Sequence, residues 1–313
     1  MIAFPLSELA GLLDGRRHGA DVSVAAVSSD TRSLAAGELF VALSGPHFDG
    51  HDYLAMAAER GACAALVSRP AAATLPLLEV ADTRLALGRL ARAWRARSAA
   101  RVVGITGSNG KTTVKEMIAS ILRQAGRVLA TRGNYNNELG LPLTIFQLEK
   151  SHDYAVLEMG ASKRGDIAYL AGIARPEVGV IINVGPAHLE GFKSLQGVAL
   201  GKGEMYAALP PGGTAIINAA EPWVDTWLEI NKAERVIYFN GDGDNHVRAI
   251  QVEDGVAVET AQGRFSLALP LPGQHNLSNA LAATAVCLAL DIPLGLIKSG
   301  LEAVQPVPGR LSL

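Results

Sequence analysis

Residues 102–117 read VVGITGSNGKTTVKEM, and this stretch decides the fold. A buried apolar run leads into a glycine-rich loop and then into a helix. That order is the setting a phosphate-binding loop requires. Gly107 and Gly110 let the backbone curl so that N–H groups face inward, and the start of the helix adds a partial positive charge. Lys111 is then placed to reach the β/γ-phosphates, and the Thr112 hydroxyl to face a Mg²⁺ position. The general pattern G-x-x-x-x-G-K-[ST] is not met, because Ile105 stands at its first glycine; what remains is G-x-x-G-K-T-T. On spacing alone, an ordinary glycine-rich turn with a solvated Lys111 is the alternative.

The pattern around this stretch extends the same architecture. Val114, Met117, Ile118, Ile121, Leu122 and Ala125 share one helical face, and Gly126 is a natural stop. VLAT (128–131), YAVLEM (154–159), VGVIINV (178–184), TAIIN (214–218) and VIYF (236–239) are apolar runs of strand length. Such runs fit strands buried on both faces of a parallel sheet. Residues 251–269 alternate like an antiparallel hairpin, and 275–290 and 294–304 read as helices. The expected fold is α/β, with a central phosphate-loop domain over 98–313 whose mostly parallel sheet carries helices on both faces. Residues 1–97 form a smaller α/β domain, with strands near 22–27, 38–43 and 62–67 and helices near 52–60 and 85–97. Arg89, Arg92 and Arg95 recur every third residue on the last helix. With no interleaved aromatics, they are expected to form a solvated face rather than a nucleic-acid stripe.

The 313 residues leave room for about two domains. Hydrophobic residues at 49% and charged residues at 19% exclude a disordered chain. Lys plus Arg total 28 against 30 Asp plus Glu, a net charge of −2 that argues against a protein built to bind nucleic acid. Cys63 and Cys287 match no metal motif and read as small buried hydrophobes. The N-terminus lacks the basic start and apolar core of a signal peptide, and the longest apolar run, 280–290, is about half a membrane span. A cytoplasmic protein without membrane insertion is expected.

Several polar residues fall at the carboxyl ends of the strand runs, on the edge that carries the loop. Glu158 ends one run and reads as a Mg²⁺ ligand, since hard cations choose oxygen, or as a solvated strand-end carboxylate. His188 follows the next run, in NVGPAHLEGF. A lone histidine is more often structural, but Thr112, Glu158 and His188 converge on one edge. Lys202 reads as a surface lysine on a helix. The asparagines of GNYNNELG (133–140) suit a loop, or hydrogen bonds to a polar ligand.

Taken together, TGSNGKTTVKEM, GNYNNELGLP, LEMGASKRGDI, HLEGF, KGEMY, PGQHNLSNALAA and VPGRL occur in order along essentially the whole chain. The set resembles the Mur ligases of peptidoglycan synthesis. SSDTRSLAAGELFVAL resembles their UDP-sugar-binding N-terminal domain. The GN-x-NN and KGE variants point to the branch that adds D-alanyl-D-alanine to UDP-N-acetylmuramoyl-tripeptide, rather than the neighbouring diaminopimelate- or lysine-adding branch. The resemblance implies an ATP- and Mg²⁺-dependent ligase, monomeric, that forms an acyl phosphate and then an amide.

Carried over position by position, the resemblance implies that residues Gly107, Ser108, Asn109, Gly110, Lys111, Thr112 and Thr113 cradle the ATP phosphates. Asn276 and Asn279 lie along the adenine and Arg310 reaches the nucleotide. Thr112, Glu158 and His188 hold metal, and Lys202 joins them as a carbamylated lysine. Ser29, Thr31 and Arg32 meet the UDP-substrate, as do Asn136 and Asn137. In the family a Rossmann-like third domain follows the PGRL motif, whereas this chain stops at Leu313. That domain is expected to be missing, and the 313 residues alone to bind substrate but ligate poorly. The other readings are a non-catalytic module binding UDP-muramyl peptide, folylpolyglutamate synthase, and a P-loop kinase or hydrolase.

Overall fold

The computed structural model describes residues 2–253 and 255–305. Residues 100–137 and 151 onward cluster into one unit, and residues 1–99 with 138–150 into another.

The larger unit is built on a sheet whose strands alternate with helices. In chain order its main elements, two short helices at Leu189–Phe192 and Val224–Ile230 aside, are β1 (Arg101–Thr106), α1 (Lys111–Leu122), β2 (Val128–Ala130), β3 (Tyr154–Glu158), α2 (Asp166–Ala174), β4 (Val178–Ile181) and α3 (Leu195–Ala207). They continue with β5 (Thr214–Asn218), β6 (Arg235–Phe239), β7 (His246–Val252), β8 (Gly255–Thr260), β9 (Gly263–Leu267), α4 (Gln274–Ala289) and α5 (Leu294–Glu302). The strand order is β2-β3-β1-β4-β5-β6-β7-β8-β9. Pairing is parallel from β2 through β7, and β8 and β9 extend the sheet antiparallel, as the change of periodicity after residue 250 suggests.

The apolar runs become strands because both their faces are covered. Val102, Val103 and Ile105 of β1 are fully buried. Val114, Met117, Ile118, Ile121 and Leu122 of α1 enter one core with Val286 of α4 and Leu301 of α5. Burying one such aliphatic side chain contributes about 1.5–3 kcal/mol, and truncating one to alanine costs about 2–5 kcal/mol. The Gly126 N–H closes α1 on the Leu122 carbonyl at 2.9 Å. The chain leaves β1 toward β2 and β3, then returns to the other side for β4. The crevice at the carboxyl end of β1 is therefore flanked by loops running in opposite directions, the usual ligand position in open α/β sheets.

The smaller unit has a five-stranded sheet. Its order is Arg16–His18, Leu77–Glu79, Ala64–Val67, Leu39–Val41 and Val27–Ser28, with only the first pair antiparallel. Phe40, Leu54, Ala65 and Leu77 share its core. Relative to a boundary near residue 97, segment 138–150 changes sides. Trp94 explains this: its indole N–H donates to the Leu148 carbonyl at 3.2 Å, and its ring meets Phe146 edge-on at 5.5 Å. The arginine stripe is also corrected. Arg95 turns inward at 9% exposure and donates to the Ser98 carbonyl at 2.8 Å, so it does not share a solvated face with Arg89 and Arg92. Cys287 is buried as expected, but Cys63 is only half-buried. Among the described residues no helix is long and apolar enough to cross a membrane.

Candidate active site

The loop after β1 forms as its glycines require. Gly110 has φ +79°, and a Cβ there would stand 2.8 Å from Asn279 Oδ1, so both conformation and space favour glycine. The helix begins immediately afterwards at Lys111, leaving Lys111, Thr112 and Thr113 in its first turn, at the positive end of the helix dipole. The Lys111 ammonium folds back on the loop, donating to the Gly107 carbonyl at 2.8 Å.

Thr112 and Glu158 come together as the sequence suggested. Thr112 Oγ1 donates to Glu158 Oε2 at 2.9 Å, and Asn136 Nδ2 donates to Oε1 at 2.8 Å. Thr131 Oγ1 accepts the Glu158 N–H at 3.0 Å. Glu158 is therefore no solvated strand end: it is 2% exposed. A buried carboxylate held by neutral donors, with a hydroxyl beside it, is a set of hard oxygen atoms that fits a divalent cation.

Lys202 is not a surface lysine either. It lies 3% exposed on α3. Burial, and secondly the nearby Lys111 charge, bring its pKa down from the usual lysine value to about 7. The rest of KGEMY anchors this turn. Glu204 caps the start of α2, accepting N–H groups from Gly165 at 2.7 Å and Ala168 at 3.0 Å. Tyr206 is fully buried on α3. Its hydroxyl donates to the Ile216 carbonyl at 2.6 Å and accepts the Ile181 N–H at 3.2 Å.

A ladder of asparagines, not foreseen, runs along the same edge. Asn183 Oδ1 accepts the Asn109 N–H at 2.9 Å, while Ser108 Oγ accepts the Gly185 N–H at 2.8 Å. Asn218 Nδ2 donates to the Ile182 carbonyl at 2.9 Å. Asn240 Nδ2 donates to Asn218 Oδ1 at 3.1 Å and to Ser278 Oγ on α4 at 2.7 Å. The phosphate loop is thus tied through β4, β5 and β6 to the helix bearing Asn276 and Asn279. The signal was available: VGVIIN, TAIIN and VIYFN all end in asparagine. Glu221, also unforeseen, accepts the Val184 N–H at 3.2 Å, and burial raises its pKa.

The remaining predicted residues are less tightly joined. Asn276 and Asn279 bond to each other at 3.3 Å. His188 sits on the loop tethered by Ser108, in a left-handed conformation (φ +52°) that is unusual outside glycine, with its side chain exposed. Among the described residues no three His, Cys, Asp or Glu side chains gather into a ready metal cluster. Asn137 follows Asn136 on the loop. In the smaller unit, Thr31 is buried and Ser29 half-buried. Arg32 is exposed, its guanidinium held by Asp30 at 2.7 Å, which raises the arginine pKa and lowers the aspartate's. Arg310 lies outside the described residues.

Fold and site together define a phosphate-loop α/β protein. The pattern of the Mur ligase middle domain matches residues 105–287, and that of the Mur ligase family catalytic domain matches residues 23–95. The chain belongs to the Mur ligase family. It is 46% identical over 320 residues to the UDP-N-acetylmuramoyl-tripeptide–D-alanyl-D-alanine ligase of Escherichia coli K12, an alignment covering 99% of this chain and 70% of that one. The structure resembles crystal structure I of MurF from Acinetobacter baumannii, with TM-score 0.93, 37% identity, and coverage of 100% of this chain and 70% of that one. It also resembles MurF ligase from Thermotoga maritima in complex with ADP, with TM-score 0.78, 31% identity, and coverage of 91% and 67%.

Proposed function

We propose that the chain acts in ATP-dependent addition of D-alanyl-D-alanine to UDP-N-acetylmuramoyl-tripeptide, a C–N ligation of peptidoglycan synthesis. The observation that carries this reading is the buried Thr112–Glu158 pair at the phosphate loop, in a chain 46% identical to a ligase named for that reaction. ATP phosphorylates the tripeptide's terminal carboxylate. The dipeptide amine attacks the acyl phosphate, and the tetrahedral intermediate releases phosphate and leaves the amide.

The chain's own part is alignment and charge neutralisation. The phosphate loop and the first turn of the helix after it, residues 107–113, cradle the phosphates, and Lys111 adds a positive charge. Asn276, Asn279 and Arg310 serve the nucleotide. Ser29, Thr31, Arg32, Asn136 and Asn137 serve the UDP-tripeptide. Thr112 and Glu158 would hold Mg²⁺, joined by His188 and Lys202; the cation supplies neutralisation of phosphate charge. With its pKa brought down to about 7, Lys202 is present in part as the neutral amine at neutral pH, the form that takes up CO₂ and releases a proton to become an anionic carbamate. The reading carries with it a monomeric, cytoplasmic enzyme.

The test is a coupled assay of phosphate release and UDP-pentapeptide formation from ATP, Mg²⁺, UDP-tripeptide and D-alanyl-D-alanine. It is run on this chain and on a version extended to the length of its relatives. Product formation dependent on both peptides is expected in the extended version. Phosphate release indifferent to UDP-tripeptide, or ligation only with another amine, overturns the reading.

A further inference from the structure

Lys115 is buried on α1, at 2% exposure, one turn beyond Lys111. Its ammonium donates to the Thr131 carbonyl at 2.6 Å and pairs with Glu116 Oε1 at 2.7 Å. Burying an ammonium is unfavourable unless it is well partnered, and an apolar side chain of similar length fills the same space without that penalty. Packing alone does not call for lysine here.

What the ammonium fixes is Thr131, just beyond β2 and 1% exposed. The Thr131 N–H donates to the Val156 carbonyl at 3.0 Å, and its hydroxyl accepts the Glu158 N–H at 3.0 Å. From Thr131 the chain runs to Asn136, which returns to the same strand end. Its carbonyl accepts the Gly160 N–H at 2.8 Å and its amide donates to Glu158 Oε1 at 2.8 Å. Glu158 is therefore gripped by both ends of one short loop, and Lys115 holds the first end.

We propose that Lys115 is a positioning residue for the metal site: by pinning Thr131 it fixes the backbone at residue 158 and the loop bearing Asn136, and so sets the carboxylate that meets a divalent cation beside Thr112. This rests on the reading of Glu158 as a metal ligand. An outer contact of this kind typically changes metal affinity by about 10–100-fold.

The experiment measures Mn²⁺ binding in the presence of ADP by electron paramagnetic resonance. It compares the parent with Lys115→Met, Lys115→Arg, Thr131→Val and Glu158→Gln, alongside metal-free ADP affinity and thermal melting. Lys115→Met and Thr131→Val are expected to weaken Mn²⁺ about tenfold or more, with metal-free ADP affinity as in the parent, and Lys115→Arg to recover part of the loss. A folded Lys115→Met variant with parental Mn²⁺ affinity overturns the proposal. So does an equal loss of ADP affinity with and without metal, which would place the effect on the phosphate loop. If Lys115→Met does not fold, parental Mn²⁺ affinity in Thr131→Val overturns it instead. Parental Mn²⁺ binding by Glu158→Gln is the separate result that removes the metal reading of Glu158, and the proposal with it.

Discussion

Asn279 Oδ1 stands 2.8 Å from the point where a Cβ on Gly110 would lie. One residue closes the phosphate loop and the other lies on α4, so two residues that the proposed function assigns to the nucleotide meet without a side chain between them. Asn279 is 6% exposed and bonded to Asn276, which leaves little room for it to yield. Gly110→Ala is expected to cost about 1–3 kcal/mol of stability, from its left-handed backbone and this contact. ADP affinity should fall about tenfold, the equivalent of about 1.4 kcal/mol. Calorimetric titration with ADP and a denaturant melt check both. Parental affinity would show that α4 gives way easily.

Thr112→Val keeps the branched shape and removes the hydroxyl that donates to Glu158 Oε2. Turnover in the ligase assay should drop about a hundredfold, the size expected for losing one aligned polar group at the reacting centre. Thr112→Ser should keep most of the rate. If valine and serine behave alike, the hydroxyl is not what the site uses.

Glu221 is a carboxyl whose pKa is raised by burial, against the opposing effect of the Val184 N–H bond. The folded state then binds this proton more tightly than the unfolded chain does. Stability contributed by the group falls as pH rises from the ordinary value of 4.5 through the raised one. Glu221→Gln keeps an acceptor for Val184 but has no proton to lose. Melts over roughly pH 4–8 should show the parent losing stability across that window and the glutamine variant not doing so. Parallel curves would count against burial as the governing force.

Asn218→Ala removes the amide donor from the buried Ile182 carbonyl and leaves the half-buried Asn240 amide bonded only to Ser278 Oγ. A loss of about 1–3 kcal/mol is expected. With Asn240→Ala, a double-mutant cycle should give a coupling of about 0.5–3 kcal/mol, because the two amides share a hydrogen bond. Additive losses would mean that the ladder does not act as a unit.

Much of the larger unit was legible because its strands are buried on both faces and so appear as unbroken apolar runs. The meeting of Thr112 with Glu158 was legible for a related reason: strand ends in such a sheet converge on one edge. What escaped depended on partners outside the local pattern. Nothing near residue 146 announces that Phe146 and Leu148 belong with Trp94. Arg95 looked solvated because the helix period placed it with Arg89 and Arg92, while the Ser98 carbonyl that draws it inward lies beyond the helix. Lys202 resembled any helical lysine until α3 was seen to bury it. The role of Lys115 was hidden within the very stretch that decided the fold, because the Thr131 carbonyl that it meets lies just beyond the next strand.

The strand-end asparagines carry a consequence for folding. In a parallel sheet with both faces apolar, alternation says little about which alignment of neighbouring strands is correct, because a slip by one residue still buries aliphatic groups. It would, however, pull Asn218 into the apolar layer and leave an alanine or isoleucine facing the Ile182 carbonyl. The amides therefore mark register, penalising a misaligned strand before any nucleotide is bound.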